Sequence, residues 1–177
     1  CKMLAHRKII SLSESKKIIS GLKQILKEFR SGKFQFNEAL EDIHMNVERR
    51  LLELIGPLGG KLHTARSRND QVCLDIRLYL RAEVREILDR LYSLEETLIT
   101  IAKKNINFIM PGYTHLQRAQ PISLAHHLLA YLEMFHRDKE RISDNLKRID
   151  IMPLGSAAMA GTNFPIDRNY VAKLLKF

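Results

Sequence analysis

Two long stretches of helical periodicity constrain the fold of this chain more than any other feature. The first helix has Asp70 as its expected N-cap and runs to about Lys104. The second runs from Pro121, in a first-turn position, to about Ile149. About 35 residues at 1.5 Å each form a rod of about 50 Å. Two such rods joined by a short break must lie antiparallel. We therefore predict an all-α fold of long antiparallel helices, with no confident strand. The apolar stripe of the first helix comprises Ile76, Leu80, Val84, Ile87, Leu91, Leu94, Leu98 and Ile101, and such stripes need partners beyond this chain.

Shorter helices precede the two rods. A capping-box pattern begins at Ser11 and opens a helix that we expect to end near residues 31–32. The next helix starts at Asn37 or Asp42, and the Gly-Pro pair at 56–57 closes it. These elements predict a small helical region ahead of the long helices.

The charge pattern restricts the class of partner. The chain has 177 residues and a net charge of +9, but acidic residues interleave with basic ones along nearly every segment. That pattern is typical of solvated helix faces with i,i+4 pairs, so we predict no nucleic-acid partner and favour an anionic small molecule.

Cys1 and Cys73 lie far apart without metal-ligand spacing, which favours a reducing compartment. No apolar run approaches the roughly 20 residues that span a bilayer, so we expect no membrane contact and a cytoplasmic protein.

A polar segment from Lys61 to Val72 leads into the first long helix. Arg66 and Arg68 supply two guanidiniums and Ser67 a hydroxyl, where a helix N-terminus adds partial positive charge. These donors suit carboxylates, which arginine binds through a planar fork. From composition alone, a solvated interhelical loop is an equally good interpretation.

A second polar segment lies between the long helices, at residues 112–121. Thr114, His115 and Gln117 precede the expected helix N-terminus, so they and backbone N–H groups are candidates to converge on an anion. The imidazole of His115 suits proton transfer near neutral pH. A capping threonine and a surface histidine are the alternative interpretation.

Other polar clusters predict no metal site. Glu133 and His136 form only half of a di-iron helix pattern, and His44 with Glu48 lacks the second histidine that zinc hydrolases use. The small-residue run at 155–163 has donors for a carboxylate, but a tight interhelical turn is the favoured interpretation.

Four runs together resemble the argininosuccinate lyases of the fumarase/aspartase superfamily. They are residues 41–48, 60–72, 112–121 and 153–156, and the likeness covers nearly the whole chain in order. The resemblance implies a homotetramer built on a long-helix bundle. It implies cleavage of argininosuccinate to arginine and fumarate by anti elimination, with no metal or organic cofactor.

The resemblance also assigns site residues. His115 would be the histidine linked to proton transfer. The positions at or near the substrate would be Asn69, Thr114, Arg68, Ser67, Asp42, His44 and, more weakly, Gln117. The intermediate is a carbanion delocalised into a carboxylate, so clustered donors and cations suit the chemistry.

Departures from the family pattern predict an incomplete site. The chain lacks the flexible loop Gly-Ser-Ser-x-Met-Pro-x-Lys-x-Asn, whose serine is the favoured base, and the glutamate that pairs with the histidine. We interpret residues 1–65 as the end of a helical N-terminal domain and 66–177 as the first part of the central bundle. Since family sites combine three subunits, we expect this fragment alone to be inactive. Alternatives are a crystallin-like structural relative or another lyase of the superfamily, such as adenylosuccinate lyase.

Overall fold

The computed structural model describes residues 1–177, which fall into two compact units. The first unit comprises Cys1–Leu74 and Met152–Phe177, and the second comprises Asp75–Ile151. The expected domain division between residues 65 and 66 concerns the longer protein and stays a prediction.

The first unit is built from short helices whose ends follow the sequence signals. Ser11 and Glu14 form both hydrogen bonds of the predicted capping box, and the Asp42 side chain caps the following helix by accepting from the Met45 N–H. Gly56 ends that helix with a φ of 68°, which a glycine adopts without steric cost. The elements are α1 (Lys2–His6), α2 (Leu12–Arg30), α3 (Ile43–Ile55), a 3₁₀ helix (Gly56–His63), the start of α4 (Arg68–Lys104) and α6 (Arg168–Leu175).

The core of this unit lies where α2 crosses α3. Ile18 and Leu51 are completely buried there, and Ile25 packs beside them. A Cβ on Gly21 would lie 2.6 Å from Cδ1 of Leu51, so a larger residue there would force the buried Leu51 side chain to move. This packing places the N-terminus of α3, which carries two candidate site residues, at a fixed position in the unit.

The second unit is an antiparallel helical hairpin, as the periodicity predicts. It contains most of α4 and all of α5 (Leu124–Ile149). Arg77 donates from Nη1 to the carbonyl oxygens of Arg148 and Ile151 at 3.0 and 2.9 Å. Within this unit, the N-terminal part of α4 therefore lies beside the C-terminal end of α5. Arg81 adds an ion pair of 3.1 Å with Asp150.

A buried ion pair joins the two helices of the hairpin near their middle. Glu95 on α4 and Lys139 on α5 are only 8% and 9% exposed, and Lys139 Nζ contacts Glu95 Oε2. The same ammonium lies 4.0 Å from the ring centroid of Tyr92, a cation–π geometry. Separating the two side chains would leave a buried charge without its partner, which is strongly destabilising. The pair therefore favours the alignment of the two helices in which Glu95 and Lys139 meet.

Much of the predicted apolar stripe is exposed within this chain. Five of its large side chains are exposed to solvent, namely Ile76, Leu80, Ile87, Leu94 and Ile101. None of the helices combines the length and apolar character needed to cross a membrane. The exposed side chains of the stripe are available for packing against another surface.

The predicted all-α fold class is confirmed, but the expectation of no confident strand is wrong for residues 109–123. Strands β1 (Ile109–Thr114) and β2 (Gln117–Ser123) pair antiparallel between the long helices, with Thr114 opposite Gln117. The expectation that Pro121 opens the second long helix is also wrong, because Pro121 pairs with Pro111 within the hairpin. Proline has no N–H to donate, but both strands of a two-stranded sheet are edge strands. A proline whose nitrogen faces solvent at such an edge removes no hydrogen bond between the strands.

The second long helix begins instead at Leu124. The hydroxyl of Ser123 caps it by accepting from the His126 N–H at 3.1 Å. Its end at Ile149 is where the periodicity predicts.

Candidate functional site

Candidate residues of the first unit meet where the N-termini of α3 and α4 come together. Asp42 Oδ1 accepts from the Met45 N–H at 2.7 Å, and its Oδ2 lies 3.1 Å from Nε of Arg68. The Met45 N–H and the positive charge of Arg68 both lower the pKa of Asp42 below its usual value. Asp42 is therefore an ionised carboxylate that fixes the guanidinium of Arg68.

Arg68 links three side chains of this cluster. Besides Asp42, its Nη1 donates to Gln71 Oε1 at 2.8 Å and lies 3.4 Å from Glu48 Oε1. These contacts involve both Nε and Nη1 of the guanidinium. The guanidinium is held in place before any ligand arrives, which lowers the entropy cost of binding an anion there.

Glu48 gathers the basic residues of the preceding segment. Its Oε1 is 2.8 Å from His63 Nδ1, 3.4 Å from Arg68 Nη1 and 3.9 Å from Arg66 Nη2. Sequence analysis paired Glu48 only with His44, its i,i+4 neighbour. The side-chain contacts of Glu48 instead join α3 to the end of the 3₁₀ helix and the start of α4. No local signal predicts these contacts.

The first turn of α4 begins at Arg68, three residues earlier than an N-cap at Asp70 predicts. Ser67 Oγ accepts from the Asn69 N–H at 3.2 Å, and the Ser67 N–H donates to Asp70 Oδ1 at 2.9 Å. Ser67 therefore occupies the capping position, and the expectation that Asp70 caps the helix is wrong. Asn69 is exposed on this first turn, where its amide is accessible to a ligand.

Asp70 has a different role, which sequence analysis missed. It is 3% exposed, and its Oδ2 accepts from the N–H groups of Gly155 and Ala157 at 2.9 and 2.8 Å. With the Ser67 N–H, one carboxylate thus binds three backbone donors. The small-residue run that begins at Gly155 is held against the start of α4 by this carboxylate, which agrees with its interpretation as a tight turn.

Gln71 was also not predicted as a site residue. Its Nε2 lies 2.9 Å from Nδ1 of His44, while its Oε1 accepts from Arg68. A glutamine in the first turn of an amphipathic helix is ordinary in sequence. Only the approach of α3 identifies it as the bridge between two candidate residues.

The candidates of the second segment lie on a β-turn. His115 and Leu116 connect β1 to β2 with φ values of 49° and 61°, typical of a type I′ turn. The expectation that Thr114, His115 and Gln117 precede a helix N-terminus is wrong, because β2 separates them from α5. All three side chains are exposed, and Leu116 is 93% exposed.

A β-bulge shapes the strand that leads to this turn. The register of the hairpin shifts between Pro111 and Tyr113. A Cβ on Gly112 would lie 2.7 Å from the backbone oxygen of Gln120, so the bulge requires glycine. The bulge and the two-residue turn together determine where His115 is presented.

The structure thus brings together one part of the predicted set. Asp42, His44 and Arg68 form one connected network in the first unit, with Ser67 and Asn69 on the same helix start. Thr114, His115 and Gln117 belong to the second unit. No group of three or more His, Cys, Asp or Glu side chains is arranged to hold a metal ion.

Fold and sequence together define the class of protein. All residues of the chain, 1–177, match the family Lyase_1, described as "Lyase", and the chain belongs to this family. Among curated relatives it is similar to the argininosuccinate lyases of Syntrophotalea carbinolica (58% identical over 176 residues) and Acetivibrio thermocellus (60% over 176 residues). Each match covers 99% of this chain and 38% of the relative, so the chain spans about 38% of the length of these proteins.

Solved structures agree with this assignment. An EDDS lyase in complex with formate is 32% identical, with a TM-score of 0.87 over 99% of this chain and 34% of that chain. A fumarate lyase:delta crystallin from Brucella melitensis, at 17% identity and a TM-score of 0.80, covers 99% of this chain and 43% of its own and shares the fold. A variant of the EDDS lyase was solved with bound fumarate.

Proposed function

We propose that the full-length protein containing this chain is an argininosuccinate lyase, which reversibly converts argininosuccinate to arginine and fumarate in arginine biosynthesis. The observation that carries the proposal is the 56–60% identity, sustained over 99% of the chain, to relatives that bear this name. The network of Asp42, Arg68, Gln71 and His44 supports it, because it fixes a guanidinium at the half-buried start of α4.

In the proposed reaction, the residues at the start of α4 and those on the hairpin turn have different roles. A base removes a proton from the carbon beside a substrate carboxylate, the C–N bond breaks as the C=C bond forms, and an acid protonates the departing guanidinium nitrogen. Arg68, Asn69 and Ser67 would bind substrate carboxylates and stabilise the negative charge that develops on one of them. Asp42 orients Arg68, and His44 adds a hydrogen bond.

The exposed hairpin turn would complete the site. We assign proton transfer to His115, directly or through a neighbouring group, and substrate contacts to Thr114 and Gln117. These three side chains are exposed in the single chain, as expected if a second subunit or the substrate covers them. The proposal requires no metal or organic cofactor.

Assembly into a homotetramer with shared sites is part of the proposal. The exposed apolar residues along α4 and α5, among them Ile76, Ile87 and Leu129, support it because a helix bundle between subunits would bury them. Under this proposal the isolated chain is inactive, the protein is cytoplasmic, and residues 66–177 begin its central bundle domain.

The test is turnover by the full-length protein. Incubation with argininosuccinate is expected to raise the absorbance of fumarate, while adenylosuccinate gives no product. The competing proposal, a lyase for another succinyl-type substrate, is favoured by the 32% identity to EDDS lyase, so EDDS is the second control. Turnover of EDDS or adenylosuccinate without turnover of argininosuccinate would replace our assignment, and no turnover of any of them would favour a crystallin-like structural relative.

A further inference from the structure

Gln71 connects the most firmly held cation of the candidate site to His44. The Arg68 Nη1 donates to Gln71 Oε1 at 2.8 Å, and Gln71 Nε2 is 2.9 Å from His44 Nδ1. All three side chains are half-buried. The two hydrogen bonds therefore act in series across the junction of α3 and α4.

The chemistry of the donors fixes the direction of both bonds. A guanidinium only donates, so the oxygen of the Gln71 amide must face Arg68. The amide nitrogen then faces His44, and since an amide nitrogen also only donates, Nδ1 of His44 must accept. An imidazole that accepts at Nδ1 is neutral and carries its proton on Nε2.

The amide cannot easily reverse, because Arg68 is itself fixed. Its Nε is 3.1 Å from Asp42 Oδ2 and its Nη1 is 3.4 Å from Glu48 Oε1. If Gln71 turned its nitrogen toward Arg68, two donors would face each other. The ion pairs of Arg68 thus determine the orientation of the amide, and the amide determines the proton on His44.

Charged groups around His44 act in both directions. Asp42, which caps α3 two residues before His44, favours an imidazolium, but its charge is offset by the ion pair with Arg68. Glu48 is occupied by His63 and Arg68. The hydrogen bond from Gln71 opposes a proton on Nδ1, and Arg68, one hydrogen bond away, opposes a second positive charge.

We infer that Gln71 is a positioning residue that holds His44 as a neutral imidazole with its proton on Nε2. This inference rests on the proposed function for its consequence: His44 serves as a hydrogen-bond donor to a substrate carboxylate and is not the base that removes the substrate proton. Gln71 acts only through His44 and needs no contact with substrate.

The first test uses the full-length enzyme with Gln71→Glu. A carboxylate accepts at both oxygens, so Nδ1 of His44 must then carry a proton, and only the imidazolium keeps one on Nε2. We expect kcat/KM of this variant to approach the wild-type value in mildly acidic solution and to fall, relative to the wild type, as the pH is raised and the imidazole loses its second proton. The loss should appear mainly in KM.

Two control variants separate this effect from a general disturbance of the site. Gln71→Met removes the donor without adding an acceptor, and a loss of about two- to tenfold in kcat/KM with an unchanged pH profile is expected. Gln71→Glu combined with His44→Asn should lack the new pH dependence, which assigns it to His44 rather than to His63. A Gln71→Glu variant that keeps the wild-type pH profile would overturn the inference.

The second test does not depend on turnover. Neutron diffraction from crystals of the full-length protein in deuterated buffer should locate deuterium on Nε2 of His44 and none on Nδ1. Deuterium on Nδ1 would overturn the inference even if argininosuccinate is the substrate. If the wild-type protein does not turn over argininosuccinate but Nε2 carries the deuterium, the proposed function fails while the inference on Gln71 stands.

Discussion

Asp70 offers the sharpest quantitative test of how the start of α4 is built. Its carboxylate is 3% exposed and accepts three backbone N–H groups, those of Ser67, Gly155 and Ala157, at 2.8–2.9 Å. Asp70→Asn keeps the shape but replaces one oxygen by an NH₂ group. In the native carboxylate one oxygen accepts from Ser67 and the other from Gly155 and Ala157. The amide of asparagine has only one oxygen, so it cannot accept from all three N–H groups.

The cost follows from the better of the two amide orientations. With its oxygen toward Gly155 and Ala157, the amide leaves only the Ser67 N–H unsatisfied, at about 1–3 kcal/mol. The two remaining hydrogen bonds change from a charged to a neutral acceptor, and each is thereby weakened by about 1 kcal/mol. We therefore expect Asp70→Asn to lower the free energy of unfolding by about 4 kcal/mol.

The assay is chemical denaturation of the full-length protein, followed by circular dichroism. Asp144→Asn is the matched control, because Asp144 is exposed and its side chain pairs only with Lys147, at 2.7 Å. That change should cost about 0.5 kcal/mol or less. If Asp70→Asn proved as mild as the control, Asp70 would not be the residue that holds the 155–157 segment to α4.

Three further outcomes are expected of the full-length protein. His115→Asn should lower kcat by about 10²-fold or more without changing the melting temperature, because the side chain is exposed and its proposed role is proton transfer; wild-type kcat would remove it from the mechanism. Arg68→Lys should raise KM, since an ammonium cannot reproduce the fork that spans Asp42 and Gln71; an unchanged KM contradicts this. Lys61→Met should destabilise the protein at pH 7, because the hydrogen bond from Lys61, followed by the Ser11 N–H, lowers the pKa of Glu14 from 4.5 to about 2. That stabilisation is present above about pH 4.5 and lost as the pH falls toward 2, so the difference in melting temperature should narrow over that range; a constant difference would assign the effect to another cause.

Local signals in the sequence predict the helices of the first unit well. Ser11 caps α2 as expected, and Asp42, one of two predicted starts, caps α3, because a cap depends on residues within one turn. The β-hairpin was missed because Pro121 resembles a first-turn proline, and His115-Leu116 is not one of the Asn-Gly or Asp-Gly pairs that identify a type I′ turn. Its strands contain two prolines and no alternation of apolar residues that would identify them.

The site was predicted less completely than the helices. Asp42, His44 and Arg68 were identified from a resemblance, and the structure joins them. Gln71 and Asp70 were not, since their partners lie 27 and 85 residues away along the chain. Hydrogen bonds over such separations leave no periodicity or spacing in a single sequence.

The ion pair between Glu95 and Lys139 limits how the sequence of the hairpin can change. Residues 81 and 150 form a second ionic contact between the same helices. Deleting one residue of α4 between these two contacts would rotate the rest of the helix by about 100° and direct Glu95 away from Lys139. Length changes in homologous chains should therefore be confined to the segments outside residues 81–95, and substitutions of Glu95 should occur together with substitutions of Lys139.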